Sequence, residues 1–386
     1  MNYDFFINSL DDHNQESILL CEKLKPKEVI YICENEEKNI NRLNALKDFY
    51  KEKFPKIIFN SIIIRNINLK EIVESLDKYL KRKCIINLSA QDKILNIILM
   101  HICEIYSVEG ICLDIEKSRI LDVKNGEIFI NNHHDMDLNI DEIIESFGGS
   151  ILIESTDINN SEVIRKISYS IADNLEKWES LKYRLYDKRI FEVDEINSNI
   201  MRINLEFLMK EEKDICSSTI KFLKEYGQLK YKEEDEKITV EFKNDYIRSF
   251  IFKSGSWLEA YVRDIISEIN QVDEVKSGVI FLWNDERVRI KNEIDVMAVK
   301  DSTLICISCK DSAKYDDVAL NELSVYGEKV GGENVKKILV ATKEPLKTSV
   351  FSRAKEMDIN IVIFDGDREK LKKSLEKVVK GELAHL

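Results

Sequence analysis

Through its first third, the chain alternates short apolar runs with stripes of apolar residues at helical spacing. Residues 4–8 are a short apolar run ending in a polar loop, and residues 15–24 carry Ile18, Leu19 and Leu20 at helical spacing. A second run at 29–33 is followed by a stripe at 41–50, with Leu43, Leu46 and Phe49 on one side. A third run spans 57–64, and the stripe at 69–80 aligns Leu69, Ile72, Val73, Leu76 and Leu80 on one face. A fourth run at 84–88 leads into a strongly apolar helix at 93–106. Runs without polar alternation predict strands of a parallel sheet covered by helices on both faces, hence an open α/β domain over residues 1–135. Residues 110–130 close it as an antiparallel hairpin turning at Asn125-Gly126.

The pattern changes over residues 136–245. Residues 141–147 have helical spacing closed by Gly148-Gly149, and 150–154 is a short apolar run. Over 161–186, Val163, Ile164, Ile167, Ile171, Leu175, Trp178 and Leu181 predict one long amphipathic helix, packed on a core or a dimer partner. A further helix is expected over 204–225, then a hairpin over 228–242 turning through Glu233-Glu234-Asp235-Glu236. Its acidic tip suits a connector better than a DNA grip, so this stretch is expected to be a mixed helical and hairpin linker.

Residues 246–386 read as a third unit. A helix over 255–269 has Leu258, Val262, Ile265, Ile266 and Ile269 inward. Strands follow at 279–283, 288–299 and 303–310, with a turn at 300–302. A helix over 318–330 ends at Gly331-Gly332, and strand 337–341, helix 346–356 and strand 359–364 complete an α-β-β-β-α-β order. On the 288–299 strand, Glu293 and Asp295 share one face because strand side chains repeat every two residues, and on the next strand Ser308 and Lys310 do the same. Pairing through the 300–302 turn brings Asp295 across from Ser308 and Lys310, and Glu259 lies one turn into the preceding helix. Glu259, Glu293, Asp295 and the Ser308 hydroxyl are the hard oxygen donors that Mg²⁺ or Mn²⁺ prefers, and Lys310 can orient a water or meet developing charge. The competing reading is a plain cross-strand ion pair between Asp295 and Lys310, with Glu259 solvated.

A second kind of site is expected in the first domain, because open α/β sheets bind ligands beyond the carboxyl ends of their strands. Two loops qualify: one holding Asn8, Ser9, Asp12 and Asn14, the other holding Asn87, Ser89, Ala90, Gln91 and Lys93. Small polar residues before a helix offer backbone N–H groups to an anion, and Lys93 adds charge. Alternatively, Ser89 or Asp92 simply caps the helix. Neither GxGxxG nor a phosphate-binding P-loop is present, which leaves a nicotinamide or ATP site without support.

Composition narrows the classes further. With 44% hydrophobic and 33% charged residues, only 3 Pro and 12 Gly, the chain is expected to be globular and without long linkers. A net charge of -13 disfavours a broad nucleic-acid-coating surface, though not a local basic groove. No apolar run approaches the ~18 residues of a membrane span, and the acidic start Met1-Asn-Tyr-Asp lacks the basic segment of a secretory signal. Most of the eight cysteines sit in apolar runs, as expected of a reducing cytoplasm. Cys306-x-x-Cys309 has no second pair and no nearby His, so a buried apolar role is expected over zinc or redox chemistry.

Asn87-Leu88-Ser89-Ala90-Gln91-Asp92-Lys93 resembles the Asn-Leu-Thr-Gly-Gly-Thr-Lys loop of CARF domains, the Rossmann-like sensors of cyclic oligoadenylates. Asn87, Leu88 and Lys93 match, whereas Ala90 and Gln91 replace the two glycines. The C-terminal order, with Trp257-Leu258-Glu259, Asn292-Glu293-Ile294-Asp295 and Cys309-Lys310, resembles the PD-(D/E)xK restriction-endonuclease-like core. Together they resemble the CARF-fused ancillary nucleases of type III CRISPR systems. That resemblance implies a homodimeric metal-dependent endonuclease. In it cyclic tetra-adenylate binds across the two-fold axis and switches on cleavage of single-stranded DNA, RNA or supercoiled DNA. Ser308 departs from the family's acid two residues before the lysine; Glu293 compensating, a hydroxyl ligand, or a weak site all stay open. The alternatives are an ungated restriction- or repair-type nuclease, and a catalytically degenerate cyclic-nucleotide-sensing regulator.

Overall fold

The computed structural model describes residues 3–382 apart from 91, 118, 124–126, 131–136, 160, 253–254 and 284–290. The N-terminal part alternates β1 (Phe5–Ser9), α1 (Gln15–Leu24), β2 (Glu28–Glu34), α2 (Glu37–Lys53), β3 (Ile58–Ile64), α3 (Leu69–Leu80), β4 (Cys84–Asn87) and α4 (Lys93–Tyr106). It continues through β5 (Glu109–Asp114), β6 (Arg119–Asp122) and β7 (Glu127–Ile130). The seven strands lie in the order β3-β2-β1-β4-β5-β6-β7, parallel from β3 to β5. Strand order reverses beside β1, with β2 on one side and β4 on the other, so the loops after β1 and β4 are neighbours at a switch point.

The single hairpin expected over 110–130 is instead a three-strand meander, because Asp114 makes an additional turn. Its carboxylate accepts the Lys117 N–H at 3.0 Å and pairs with Arg119 Nε at 2.9 Å, folding β6 back on β5. The expected turn at Asn125-Gly126 lies outside the described residues.

The middle of the chain holds α5 (Ile140–Ser146), β8 (Gly149–Ile153), α6 (Thr156–Asn159), α7 (Glu162–Asp173) and α8 (Leu175–Lys182). Then come β9 (Phe191–Val193), β10 (Ile200–Asn204), α9 (Lys210–Glu225), β11 (Leu229–Glu234), β12 (Lys237–Phe242) and α10 (Asp245–Phe252). The one long helix expected over 161–186 is two helices. The break is Asn174, at φ -127 and ψ 40, whose side chain donates to the Ser170 carbonyl at 3.0 Å in place of a helical bond. The expected hairpin is part of a four-stranded sheet, β11-β12-β10-β9, whose two extra strands carry too little apolar alternation to be read from sequence.

The C-terminal part comprises α11 (Ser256–Ser267), β13 (Glu274–Trp283), β14 (Lys291–Lys300), β15 (Thr303–Lys310) and α12 (Asp317–Gly331). It ends with β16 (Lys336–Ala341), α13 (Ser349–Glu356), β17 (Ile359–Ile363) and α14 (Arg368–Val379). Its six-stranded sheet runs β17-β16-β15-β14-β13-β8, so β8, expected within a linker, completes this sheet by antiparallel pairing with β13. Helix α7 also packs on α11, where Arg165 Nε donates to the buried Asp264 at 2.7 Å. No described helix is long and apolar enough to cross a membrane.

One apolar core joins the two large sheets. It runs from Phe6, Leu19 and Phe49 through Ile140, Ile143 and Ile144 of α5 to Leu320, Leu323 and Val330 of α12. The corner after β1 is closed against the end of α12: a Cβ on Gly332, at φ +70, would stand 3.1 Å from the His13 ring. Burial pushes His13 down to about 4, and pushes Glu16 up to about 7 with help from the charges of Asp11 and Glu333.

Glu16 therefore holds its proton more tightly folded than unfolded, and its contribution to stability is lost as pH rises from about 4.5 to about 7. His13 opposes this below its ordinary value, since a lowered folded pKa favours folding as pH rises from about 4 to 6.5. Glu16→Gln is expected to raise unfolding free energy by about 1–3 kcal/mol at pH 8 and by little at pH 4.5, measured by urea denaturation. An equal change at both pH values would contradict a buried, charge-repelled Glu16.

Candidate active site

Helix α11 starts from Gly255 at φ +113, a conformation suited to glycine, and carries Glu259 in its first turn while Trp257 and Leu258 are buried. Antiparallel pairing sets Val296 against Ile307, so Asp295 stands opposite Ser308, as its alternation with buried Ile294 and Val296 predicts. The Ser308 hydroxyl donates to Asp295 Oδ2 at 3.2 Å, and the Cys309 N–H donates to the same oxygen at 2.7 Å. Asp295 is thus held by two neutral donors, and among the described residues it forms no ion pair with Lys310, which removes the plain cross-strand pair as the explanation of these residues.

Glu259, Glu293, Asp295, Ser308 and Lys310 all line one cavity of about 370 Å³. The five residues expected to carry the chemistry therefore meet in one place. Their carboxylates are not drawn to a single point: among the described residues the trio whose oxygens lie within 4.8 Å of one another is Asp137, Asp273 and Asp301, outside this cavity. Helix α12 adds Glu322 and Tyr326 to the wall. Sequence reasoning missed both, because Glu322 is one of many acids on exposed helix faces and only the packing of α12 sets it beside the cavity. It also missed Asp311, whose partners are distant in sequence.

The Cys306/Cys309 pair behaves as expected of buried thiols. Three residues apart on β15, they face opposite sides of the sheet and join different apolar cores. Burial pushes Cys306 up to about 12, and holds Cys309 well above the thiol range with help from the charges of Asp295 and Glu259.

The described residues of the two loops expected to bind a ligand lie around the switch point. Asn87 Nδ2 donates to Asn8 Oδ1 at 3.0 Å, tying the ends of β4 and β1 together. Ser89 donates to Asn87 Oδ1 from its backbone N–H at 3.0 Å and its hydroxyl at 2.7 Å, and accepts the Leu113 N–H at 2.8 Å. Asp92 is the cap of α4, accepting the Leu95 N–H at 2.9 Å, which answers the capping alternative in favour of Asp92. The Ala90 carbonyl accepts from Asn96, Asp12 pairs with Arg42 and Lys38, and Asn14 is bonded to the Asp11 backbone. Lys93 is exposed at the first position of α4, and Gln91 lies outside the described residues. Ser9 Oγ and Gln15 Nε2 are buried without a hydrogen-bond partner among the described residues, and no side chain caps α1.

Residues 246–381 match the family model of the Card1-like endonuclease domain. Across 99% of this chain and 98% of that one, the fold is similar to Can2 from Sulfobacillus thermosulfidooxidans in complex with cyclic tetra-adenylate, at TM-score 0.70 and 16% identity. It is similar to VC1899 from Vibrio cholerae at TM-score 0.76 and 15% identity, covering 99% of each chain. A type III CRISPR defence DNA nuclease activated by cyclic oligoadenylate is similar at TM-score 0.55 and 12% identity, over 91% of this chain and 48% of that one. At such identities these likenesses are of fold. No curated protein matches the sequence.

The thiol environments lead to a direct expectation. At pH 8, alkylation of the native protein followed by mass spectrometry is expected to leave Cys306 and Cys309 unlabelled, whereas both label in urea. Rapid native labelling of either would contradict their placement.

Proposed function

We propose that this chain, whose residues 246–381 match a Card1-like endonuclease domain, is a metal-dependent endonuclease gated by a cyclic oligoadenylate, serving type III CRISPR defence in the cytoplasm. The observation that carries the reading is the shared cavity of Glu259, Glu293, Asp295, Ser308 and Lys310. Its oxygen donors fit Mg²⁺ or Mn²⁺, with Glu259, Asp295 and either Glu293 or Ser308 holding the ion. When bound, such an ion neutralises phosphate charge and makes water a better nucleophile.

The chain's own groups do the rest. Cys309 N–H and the Ser308 hydroxyl both land on Asp295 Oδ2, which fixes the carboxylate and leaves Oδ1 for the ion. Lys310 orients the attacking water and meets charge developing on the scissile phosphate. Ser308 removes one negative charge relative to the family's pattern, and this favours a second reading in which the domain is degenerate and the protein only senses its ligand.

Gating is supported by the switch-point loops, where Ser9, Gln15 and the uncapped N-terminus of α1 offer donors to an anionic ligand, and Lys93 adds charge. A homodimer is supported by α4, where Ile94, Ile97 and Met100 are 63%, 69% and 56% exposed. The nucleic-acid substrate, single-stranded DNA, RNA or supercoiled DNA, is to be read from the assay itself.

Labelled single-stranded DNA, RNA and supercoiled plasmid are to be incubated with Mn²⁺ or Mg²⁺, with and without cyclic tetra-adenylate. Cleavage is expected only with ligand and metal, reduced about 10²-fold or more in Asp295→Asn and Lys310→Ala. Constitutive cleavage would favour the ungated nuclease, and binding without cleavage the degenerate sensor. Ile97→Glu is expected to shift the protein from dimer to monomer mass in light scattering and to abolish ligand-dependent cleavage.

A further inference from the structure

We infer that Asp311 is a positioning residue of the nuclease site, a buried carboxylate that fixes the strand end bearing Lys310 against the helix bearing Glu259. This rests on the nuclease reading above. The Asp311 side chain is 0% exposed. Its Oδ2 accepts the indole N–H groups of Trp178 at 2.7 Å and Trp257 at 2.8 Å. Its Oδ1 accepts Lys182 Nζ at 3.0 Å and the Thr342 hydroxyl at 3.0 Å, and Lys182 Nζ also reaches the Asp311 carbonyl at 2.8 Å.

Four donors occupy the four lone-pair positions of one carboxylate. Asp311 therefore has no capacity left for a metal or a water, although it borders the same cavity. Its partners come from three separate parts of the chain. Trp178 and Lys182 belong to α8, Trp257 precedes Glu259 by two residues on α11, and Thr342 follows β16. The two indoles stand edge to face, with ring centroids 6.4 Å apart, so neither can turn without disturbing the other.

The chemistry explains why a charge is placed there. A buried carboxylate is costly unless every lone pair is met, so the arrangement tolerates one geometry and rejects its neighbours. Lys310 is covalently adjacent to that fixed point. Displacing Asp311 moves the Lys310 ammonium relative to Asp295 and Glu259, and misplacement by about 1 Å can cost about 10²-fold in rate. Lys182 further contacts Glu179, which also pairs with Lys343, so the restraint extends from the cavity floor into α8.

The test is Asp311→Asn in the full-length protein with ligand and metal present. The amide group must face either two indole donors or Lys182 and Thr342, so the network cannot close. The expected result is a kcat lower by about 10²-fold with KM and the half-saturating Mn²⁺ concentration within about threefold of wild type. Trp178→Phe, a smaller change outside the cavity, guards against a variant that does not fold. It is expected to lower kcat about fivefold to tenfold, with little further effect in the Asp311→Asn background. In proton–nitrogen spectra the indole resonances of Trp178 and Trp257 are expected downfield in wild type and shifted upfield in Asp311→Asn. A role in stability alone would lower Tm and leave kcat of the folded variants unchanged, and that result overturns the inference. A wild type that cleaves no substrate overturns the nuclease reading and the positioning role together, while the indole shifts still report whether the network exists.

Discussion

The register between β14 and β15 is the constraint on which the site depends. Sliding one strand by a single residue would turn Asp295 into the core and present Ile294 to the cavity. That register is held from both sides: Ile294, Val296, Ile305 and Ile307 fill the sheet's two cores, and the Cys309 N–H and Ser308 hydroxyl close on Asp295. Parallel pairing with β16, which sets Lys310 against Ala341, carries β15 on to its end and so fixes where Lys310 and Asp311 stand. Apolar packing and polar geometry select the same alignment, which is what gives a small cavity a fixed arrangement of charges.

Around that hairpin the charge balance is unusual. Glu259, Glu293, Asp295 and Glu322 face one ammonium, Lys310, in a space of about 370 Å³. A divalent cation would offset this acidic excess, and a neutral serine at 308 makes the excess smaller than a further acid would. Ser308 gives its proton to Asp295, so what it contributes in this structure is orientation of a carboxylate. Buried Cys309 on the far face of β15 keeps its thiol protonated beside those charges and adds none of its own.

The N-terminal and C-terminal sheets share packing through α5 and α12 as well as chain connectivity. His13 and Glu16, in the corner that follows β1, lie against Gly332 and Glu333 at the end of α12. The other side of α12 supplies Glu322 and Tyr326 to the cavity. A helix is a stiff element, so the corner after β1 and the wall of the cavity are linked through one rigid element. The two loops of the switch point are tied by the Asn87–Asn8 bond, Ser89 closes on Asn87, and Ser9 Oγ and Gln15 Nε2 are among the buried atoms without a hydrogen-bond partner among the described residues.

Much of this was legible from residue order. Continuous apolar runs and helical spacing located most elements of the first and last thirds, because most of those strands are buried and those helices bury one face. Alternation alone put Glu293 and Asp295 on one face and Ser308 and Lys310 on the next strand, since strand geometry leaves side chains no other choice. The pattern was misread where local polar bonds override periodicity: in the middle, Asn174 breaks a stripe that otherwise reads as one helix, and in the first third Asp114 folds back an apolar run. The sequence by itself determined which residues could form the site, because backbone geometry is local. Only the tertiary structure decided that β8 completes the C-terminal sheet, that Glu322 borders the cavity, and that Asp311 gathers Trp178, Lys182, Trp257 and Thr342. Those contacts join residues far apart in the chain, and their alignment is set by how whole elements pack.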